Sequence, residues 1–244
     1  MRKKIIAILI AFCTLISFNS AVLADVVIDL IEGTPTEEEL MQYDLMWQYA
    51  DDETRYYMSS KVKARAVGLS NKEFKFFARV VEAEGRFCED DITDKVLIAC
   101  VIINRTNCSK FPTRTITSTL QRKNQFAVVN PKTHNCTVSR TLDSEWAIIE
   151  AYRLIDNYLI DCHMVFFNSI GFGGTSSGYT RYVDNSYCNG NYFMCINCDC
   201  KHCSEYCEIY DPEWSTRTIE MISPRYERPI GHIEASEIVY LGSR

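Results

Sequence analysis

Two glutamates and a crowd of cysteines are the side chains whose types and spacing could do chemistry in this chain. Glu82 and Glu84 stand in the stretch Val80-Val81-Glu82-Ala83-Glu84-Gly85. The upstream spacing predicts a helix ending there, which puts Glu84 in its last turn. The carbonyl end of the helix dipole disfavours a carboxylate at that point and favours the protonated acid. An acid kept partly protonated near neutral pH can give its proton to a leaving oxygen, which is what breaking a glycosidic bond requires. From these facts alone, an ordinary solvated glutamate at a helix end is the plainer alternative. Residues two apart on a helix point roughly 200° away from each other, so Glu82 and Glu84 cannot form a facing pair. One of them can enter a cleft, not both. Two-carboxylate glycoside hydrolysis would need a partner about 5–9 Å away, and Asp90, Asp91 and Asp94 are the near suppliers.

Of the twelve cysteines, Cys88, Cys100, Cys108, Cys136 and Cys162 are spread through the body, while six fall between Cys188 and Cys207. The pattern Cys195-x2-Cys198-x-Cys200-x2-Cys203-x3-Cys207, with His202 inside it, has the close spacing of a disulfide knot or of a metal-thiolate site. Export favours disulfides. Structural zinc at the Cys195–Cys207 cluster and free thiols stay open as alternatives, and no catalytic metal or other cofactor is expected. Cys162 and His163 are sequence neighbours, but a cysteine peptidase needs its pair close in space with a third group orienting the histidine.

The elements that must position these groups follow from capping and periodicity. Thr34-Pro35-Thr36-Glu37 carries an N-cap, a proline at the first helical position and a capping-box glutamate. A helix through Leu40, Leu45, Met46 and Tyr49 follows, continuing unevenly towards Arg65. Ser70-Asn71-Lys72-Glu73 is a second capping box, after which Phe74, Phe77, Ala78 and Val81 recur at helical spacing up to Gly85. Lys95 to Asn104 is apolar almost all round, the pattern of a core helix. Residues 106–139 read as loop and short strands. A third helix spans about Leu142 to Leu159 with Trp146, Ile149, Tyr152 and Ile155 inward, and Met164 to Ile170 is an aromatic strand followed by a glycine-rich turn.

The leader has the three parts of a secretory signal peptide. Arg2, Lys3 and Lys4 precede an apolar run from Ile5 to Ile16, and Val22-Leu23-Ala24 supplies the small residues before a cleavage point. Its removal takes away three cations, leaving the mature chain more negative than the full chain's −6, and takes away Cys13, leaving an odd cysteine count. An acidic chain is not drawn to nucleic acid or to an anionic membrane surface. No later stretch reaches the roughly 18 apolar residues of a membrane span.

Residues 69–105 contain Leu69-Ser-Asn-Lys-Glu-Phe-Lys-Phe-Phe-Ala-Arg-Val-Val-Glu-Ala-Glu-Gly-Arg86, an acidic loop, and Val96-Leu-Ile-Ala-Cys-Val-Ile-Ile-Asn-Arg105. This block resembles the core of the spore cortex-lytic enzyme (cell wall hydrolase) family. Lys110-Phe111-Pro112, Gln125-Phe126-Ala127-Val128-Val129, and the stretch from Trp146 to Phe166-Phe167-Asn168 resemble its later landmarks in the same order. The resemblance covers about residues 69–193. It implies a lysozyme- or lytic-transglycosylase-like fold and cleavage of peptidoglycan between its two alternating sugars. It places the catalytic glutamate on Glu84 and sugar contacts on Gln125, Phe126 and Asn168. At the family's terminal histidine this chain has Asn191, in Cys188-Asn-Gly-Asn191-Tyr-Phe193; Ile230-Gly231-His232 is an alternative match with worse spacing.

The expectation is therefore an α+β, mainly helical chain with a single lysozyme/lytic-transglycosylase-like catalytic domain. Its parts are a signal peptide at 1–24, a helical N-terminal extension at 25–68, the catalytic domain at 69–195 and a cysteine-rich extension at 196–244. Residues 25–66 are expected to be dispensable for chemistry. The partner is peptidoglycan, of vegetative wall or spore cortex, met outside the cytoplasm with no nucleic acid and no membrane after signal cleavage. The activity is that of a lytic transglycosylase or muramidase acting through Glu84. The rival from another class is a non-catalytic wall-binding or coat-structural protein, cross-linked through its cysteines.

Overall fold

The structure, a computed structural model, describes residues 35–85, 91–169, 179–184, 190–196, 198, 200–209, 221–222 and 226–229. The leader, the acidic loop around Cys88, the glycine-rich turn and Ile230-Gly231-His232 lie outside the described residues. The chain is mainly helical with one small sheet.

Three helices open it: α1 (Glu37–Tyr49), α2 (Asp52–Tyr57) and α3 (Ser60–Ala66). The α1 cap is Thr36, two residues later than expected. Thr36-x-x-Glu39 offers a second capping box in register, and its hydroxyl and Glu39 exchange bonds with each other's backbone N–H. Asp51 and Ser59 then restart the helix twice, so the uneven apolar pattern resolves into three pieces.

The N-terminal segment is not an appendage. Tyr56 and Ala64 are buried in the same core as the later helices, Val62 is buried too, and Lys63 is fully buried in an ion pair with Glu145. Residues 25–66, expected to be dispensable for chemistry, thus contribute Tyr56, Lys63 and Ala64 to the buried interior. The polar look of this stretch hid side chains that complete the core.

The next helices are α4 (Asn71–Glu84) and α5 (Thr93–Asn107). Ser70 Oγ caps α4 by accepting from the Glu73 N–H, but the box is not reciprocal. Glu73 instead accepts from the Thr117 N–H in the short helix α6 (Ile116–Leu120), placing a carboxylate at that helix's positive end. This helix lies in the 106–139 region, where strands were expected. Phe74, Phe77, Ala78, Val80 and Val81 of α4 are all fully buried. α5 is buried all round, from Thr93 to Arg105, and packs against α4, α6, the long helix α7 (Leu142–Asp156) and the sheet. A helix apolar on every side can satisfy itself only as the central element of the core. α7 stops at Asp156 because Asn157 caps it and Tyr158 turns into the left-handed region (φ 57°).

The sheet holds β1 (Met164–Asn168), β2 (Tyr179–Asp184), β3 (Tyr192–Ile196) and β4 (Met221–Ile222) in the order β1-β3-β2-β4. β3 pairs antiparallel with β1 and β2, setting Phe167 beside Phe193 and Asn168 beside Tyr192. The last described helix is α8 (Lys201–Ile209). No described helix is long and apolar enough to cross a membrane.

Asn104 and Arg105, at the end of α5, fasten the helix to the sheet. The Asn104 side-chain amide donates to the carbonyls of Asp161 and Met164, and Arg105 Nε donates to the carbonyl of Val165. These bonds tie the end of α5 to the backbone at the start of β1.

Candidate active site

A cleft of about 570 Å³ opens where the end of α4, the end of α5, the 124–127 turn and the cleft-side ends of β1 and β3 meet. That is room for a few sugar units rather than a single small ion. Glu84 lines it, as do Gln125 and Asn168. Three of the four residues singled out from the sequence therefore share one cavity. Phe126 does not line it, and its expected role as a sugar contact is corrected. The ring is 4% exposed, stacks at 6.3 Å on Phe167 and sits under the Arg105 guanidinium. The ring is drawn into the core while Gln125 and Ala127 on either side line the cleft.

The end of α4 is held by two devices. Gly85 takes an extended conformation (φ −75°, ψ 150°), which any residue can adopt, so left-handed geometry is not the reason for glycine here. Proximity is. A Cβ at this position would lie 2.6 Å from Lys95 Cγ and 2.9 Å from the Val81 carbonyl oxygen. Lys95 cannot easily retreat, because its side chain is buried and its ammonium is bound to Glu82 at 2.9 Å. The second device is Asn191. Its side-chain N–H2 donates to the Glu84 carbonyl at 3.3 Å and to Asp94 Oδ2 at 2.8 Å, and its backbone N–H donates to Asp94 Oδ1 at 2.6 Å. One asparagine thus ties the strand, the start of α5 and the end of α4 together beside the glutamate.

Replacing Gly85 with alanine should therefore push α5 away from α4 or break the Lys95–Glu82 pair. The expected cost is about 1–3 kcal/mol, seen as a fall of several degrees in melting temperature by circular dichroism. An unchanged melting temperature would show that the Lys95 side chain yields freely.

The carboxylates divide as their helical spacing requires. Glu82 points away from the cleft and is bound by Lys95 and by the Thr141 hydroxyl. Asp94 is occupied by Asn191, and buried Asp91 accepts from the Thr93 N–H. Among the described residues, Glu84 is the one carboxylate lining the cleft.

Around it stand donors. Arg105 lines the cleft, ringed by Phe111, Phe126 and Phe166 at 5.2–5.6 Å from its guanidinium carbon, and its Nη1 donates to Gln125 Oε1 at 3.1 Å. That bond fixes the Gln125 amide with its oxygen towards the arginine. Asn124 takes the left-handed conformation (φ 61°) that asparagine tolerates, and this sharp turn carries Gln125 to the rim. Asn124, Ser169 and Asn191 also line the cavity. As site residues, Arg105, Asn124 and Ser169 escaped sequence reasoning. The signal for Arg105 was its place beside Asn104 at the polar end of an otherwise apolar helix; a turn residue with positive φ has no such signal.

The cysteines come together differently from their spacing. Among the described residues no cysteine is disulfide-bonded, which corrects the expectation that disulfides would organise the tail. The sulfurs of Cys108, Cys198, Cys200 and Cys203 all lie within 4.8 Å of one another, a set that could hold a metal ion. Cys108, at the end of α5, replaces Cys195 of the sequence cluster; Cys195 is buried in β3. Burial opposes ionisation of Cys200, but the backbone N–H groups of Cys203 and Ser109 and the neighbouring thiols outweigh it and pull its pKa down to about 6. Burial pushes Cys108 up.

His163 is no catalytic base. Its Nδ1 lies 2.8 Å from Asp161 Oδ1 and its Nε2 lies 3.0 Å from the Cys198 carbonyl oxygen. The bond to Asp161 raises the pKa above the ordinary histidine value, and both ring nitrogens are occupied by these partners.

No protein-family model, curated protein or solved structure matches this chain.

Proposed function

We propose that this protein cleaves the glycan strands of peptidoglycan, with Glu84 as the single acid/base residue, in the manner of a lytic transglycosylase. The observation that carries the reading is a cleft of about 570 Å³ in which, among the described residues, Glu84 is the one carboxylate and the other polar lining is amide, hydroxyl and guanidinium. Amides and hydroxyls match the alternating donors and acceptors of sugar hydroxyl and acetamido groups. One carboxylate lining the cleft suits a mechanism that needs one.

In that mechanism Glu84 donates its proton to the glycosidic oxygen as the bond from the anomeric carbon breaks, and the leaving sugar departs as an alcohol. The developing positive charge on the ring is met by the newly formed carboxylate. Glu84 then takes the proton of the same sugar's 6-hydroxyl while that oxygen closes onto the anomeric carbon. The product is a 1,6-anhydro sugar and the glutamic acid is restored, so no water is consumed. A two-carboxylate route would require a second acid about 5–9 Å away; of the three suppliers named from the sequence, Asp91 and Asp94 are engaged in holding backbone and Asn191, and Asp90 lies outside the described residues.

The resemblance of residues 69–193 to cell wall hydrolases supports the same assignment, as does the meeting of Glu84, Gln125 and Asn168 in one cavity. The secretory character of residues 1–24 supports action outside the cytoplasm, on vegetative wall or spore cortex.

Insoluble peptidoglycan suspended with the purified chain should lose turbidity and release soluble disaccharide-peptide fragments. Sedimentation of the chain with the wall, without any release, would favour a wall-binding protein instead.

A further inference from the structure

We propose that Cys108, Cys198, Cys200 and Cys203 form a structural tetrathiolate zinc site that clamps the end of α5 to the β3–α8 connection. It is independent of the glycan-cleavage reading. Four sulfurs contributed by two stretches of backbone, ninety residues apart, converge here, and they do so without bonding to one another. Cys108 Sγ lies 3.3 Å from Cys198 Sγ, and Cys200 Sγ lies 3.4 Å from Cys203 Sγ. A disulfide would need about 2.05 Å. A tetrahedral zinc with Zn–S bonds of about 2.3 Å sets its sulfurs about 3.8 Å apart. The observed range, from 3.3 Å to an upper bound of 4.8 Å, brackets that value. The sulfurs are too close together to surround an iron–sulfur cluster, which leaves a single tetrahedral ion.

The surroundings are built as those of a metal site are. Backbone N–H groups point at the sulfurs, that of Lys110 at Cys108 and those of Ser109 and Cys203 at Cys200. Such bonds orient thiolate ligands and spread their negative charge. His163 donates to the Cys198 carbonyl, fixing the loop that carries the second ligand. Cys203 is buried in the first turn of α8, so the ion would anchor that helix as well. Cys162 lies near Cys203 but belongs to a second grouping with His163, whose ring nitrogens are already engaged. Cys195 lies in β3, outside the set.

The role is mechanical. α5 ends at Asn107, three residues after Asn104 and two after Arg105, which hold β1 and the Gln125 side chain. Loading the site with metal locks the helix end that positions one wall of the cleft, while no ligand touches the cavity itself.

The test is metal analysis of the full chain purified without chelator. One zinc per chain is expected, with the four thiols protected from alkylation until the metal is withdrawn. C108S and C200S should lose the zinc, whereas C195S should keep it. Should C108S fail to fold, cobalt exchanged into the unaltered chain still decides, because four thiolates give intense sulfur-to-cobalt charge-transfer bands together with tetrahedral d–d bands. A folded chain without zinc, retention of zinc by both C108S and C200S, iron in its place, or a disulfide between any two of the four cysteines would overturn the proposal.

Discussion

Glu84→Gln should abolish wall lysis and leave the fold intact. The amide has the size and shape of the acid but cannot donate the proton the leaving oxygen needs, and groups in this role contribute about 10²–10⁴-fold. Bonds that fix this end of α4 run from Asn191 to the Glu84 carbonyl and from the Gly85 amide to the Val81 carbonyl, and the amide variant keeps both. Turbidity assays on purified peptidoglycan should therefore show a loss of at least about 10²-fold, with an unchanged melting temperature. Glu82→Gln is the informative control. It weakens the pair with Lys95 and the bond from Thr141, both outside the cleft, so it should lower stability modestly and leave most activity. Equal losses in the two variants would mean that the helix end, and not the acid, had been tested.

The largest structural effect is expected at Glu145. Its side chain is 5% exposed and receives Lys63 Nζ at 3.0 Å, Arg140 Nε at 2.6 Å and Ser60 Oγ at 2.6 Å. Burial alone would raise the Glu145 pKa; Lys63 and Arg140 outweigh it and hold the carboxyl below its usual range. Burial also pulls Lys63 below the ordinary lysine value, so its charge depends on Glu145 being there. Glu145→Ala strands two cations, one of them fully enclosed, and breaking such a buried pair costs about 3–5 kcal/mol. For a chain of this size the melting temperature should fall by on the order of 10 °C. Removing both charges by Lys63→Met with Glu145→Leu should recover much of the loss, because the uncompensated charge and not the missing contact is the main cost. A fall of less than about 2 °C in Glu145→Ala would contradict the burial of the pair. The same network explains why a chain beginning near Val67 should be unstable: it would lack Lys63, Ser60 and Tyr56 together.

How much of this was legible in the sequence depended on how local the cause was. The α4 helix, its Ser70 cap and the position of Glu84 in its final turn follow from capping and periodicity within some fifteen residues. The all-round apolar character of α5 announced a central helix before any contact was known. What could not be read were pairings across the chain. Nothing near Lys63 names Glu145, eighty-two residues later, as its partner. Glu73 looked like the second half of its own capping box, yet a distant N–H at Thr117 competes for it and wins. Spacing placed Cys195 in the thiol cluster because it is near in sequence, but β3 turns it into the sheet, and Cys108 arrives from ninety residues before Cys198. Phe126 failed for a related reason, since the pattern marks the turn but not which of its side chains the core claims. Asn191 seemed only a departure from a family histidine; in place, it secures Asp94 and the end of α4.

The most direct measurement is mass spectrometry of the sugar ends that the wild-type chain releases from purified peptidoglycan. A solitary Glu84 acting in turn as acid and base predicts 1,6-anhydro ends in the fragments and none with Glu84→Gln. Reducing ends would contradict the single-carboxylate mechanism and require a second acid in the cleft, and the absence of any new sugar end would contradict glycan cleavage altogether.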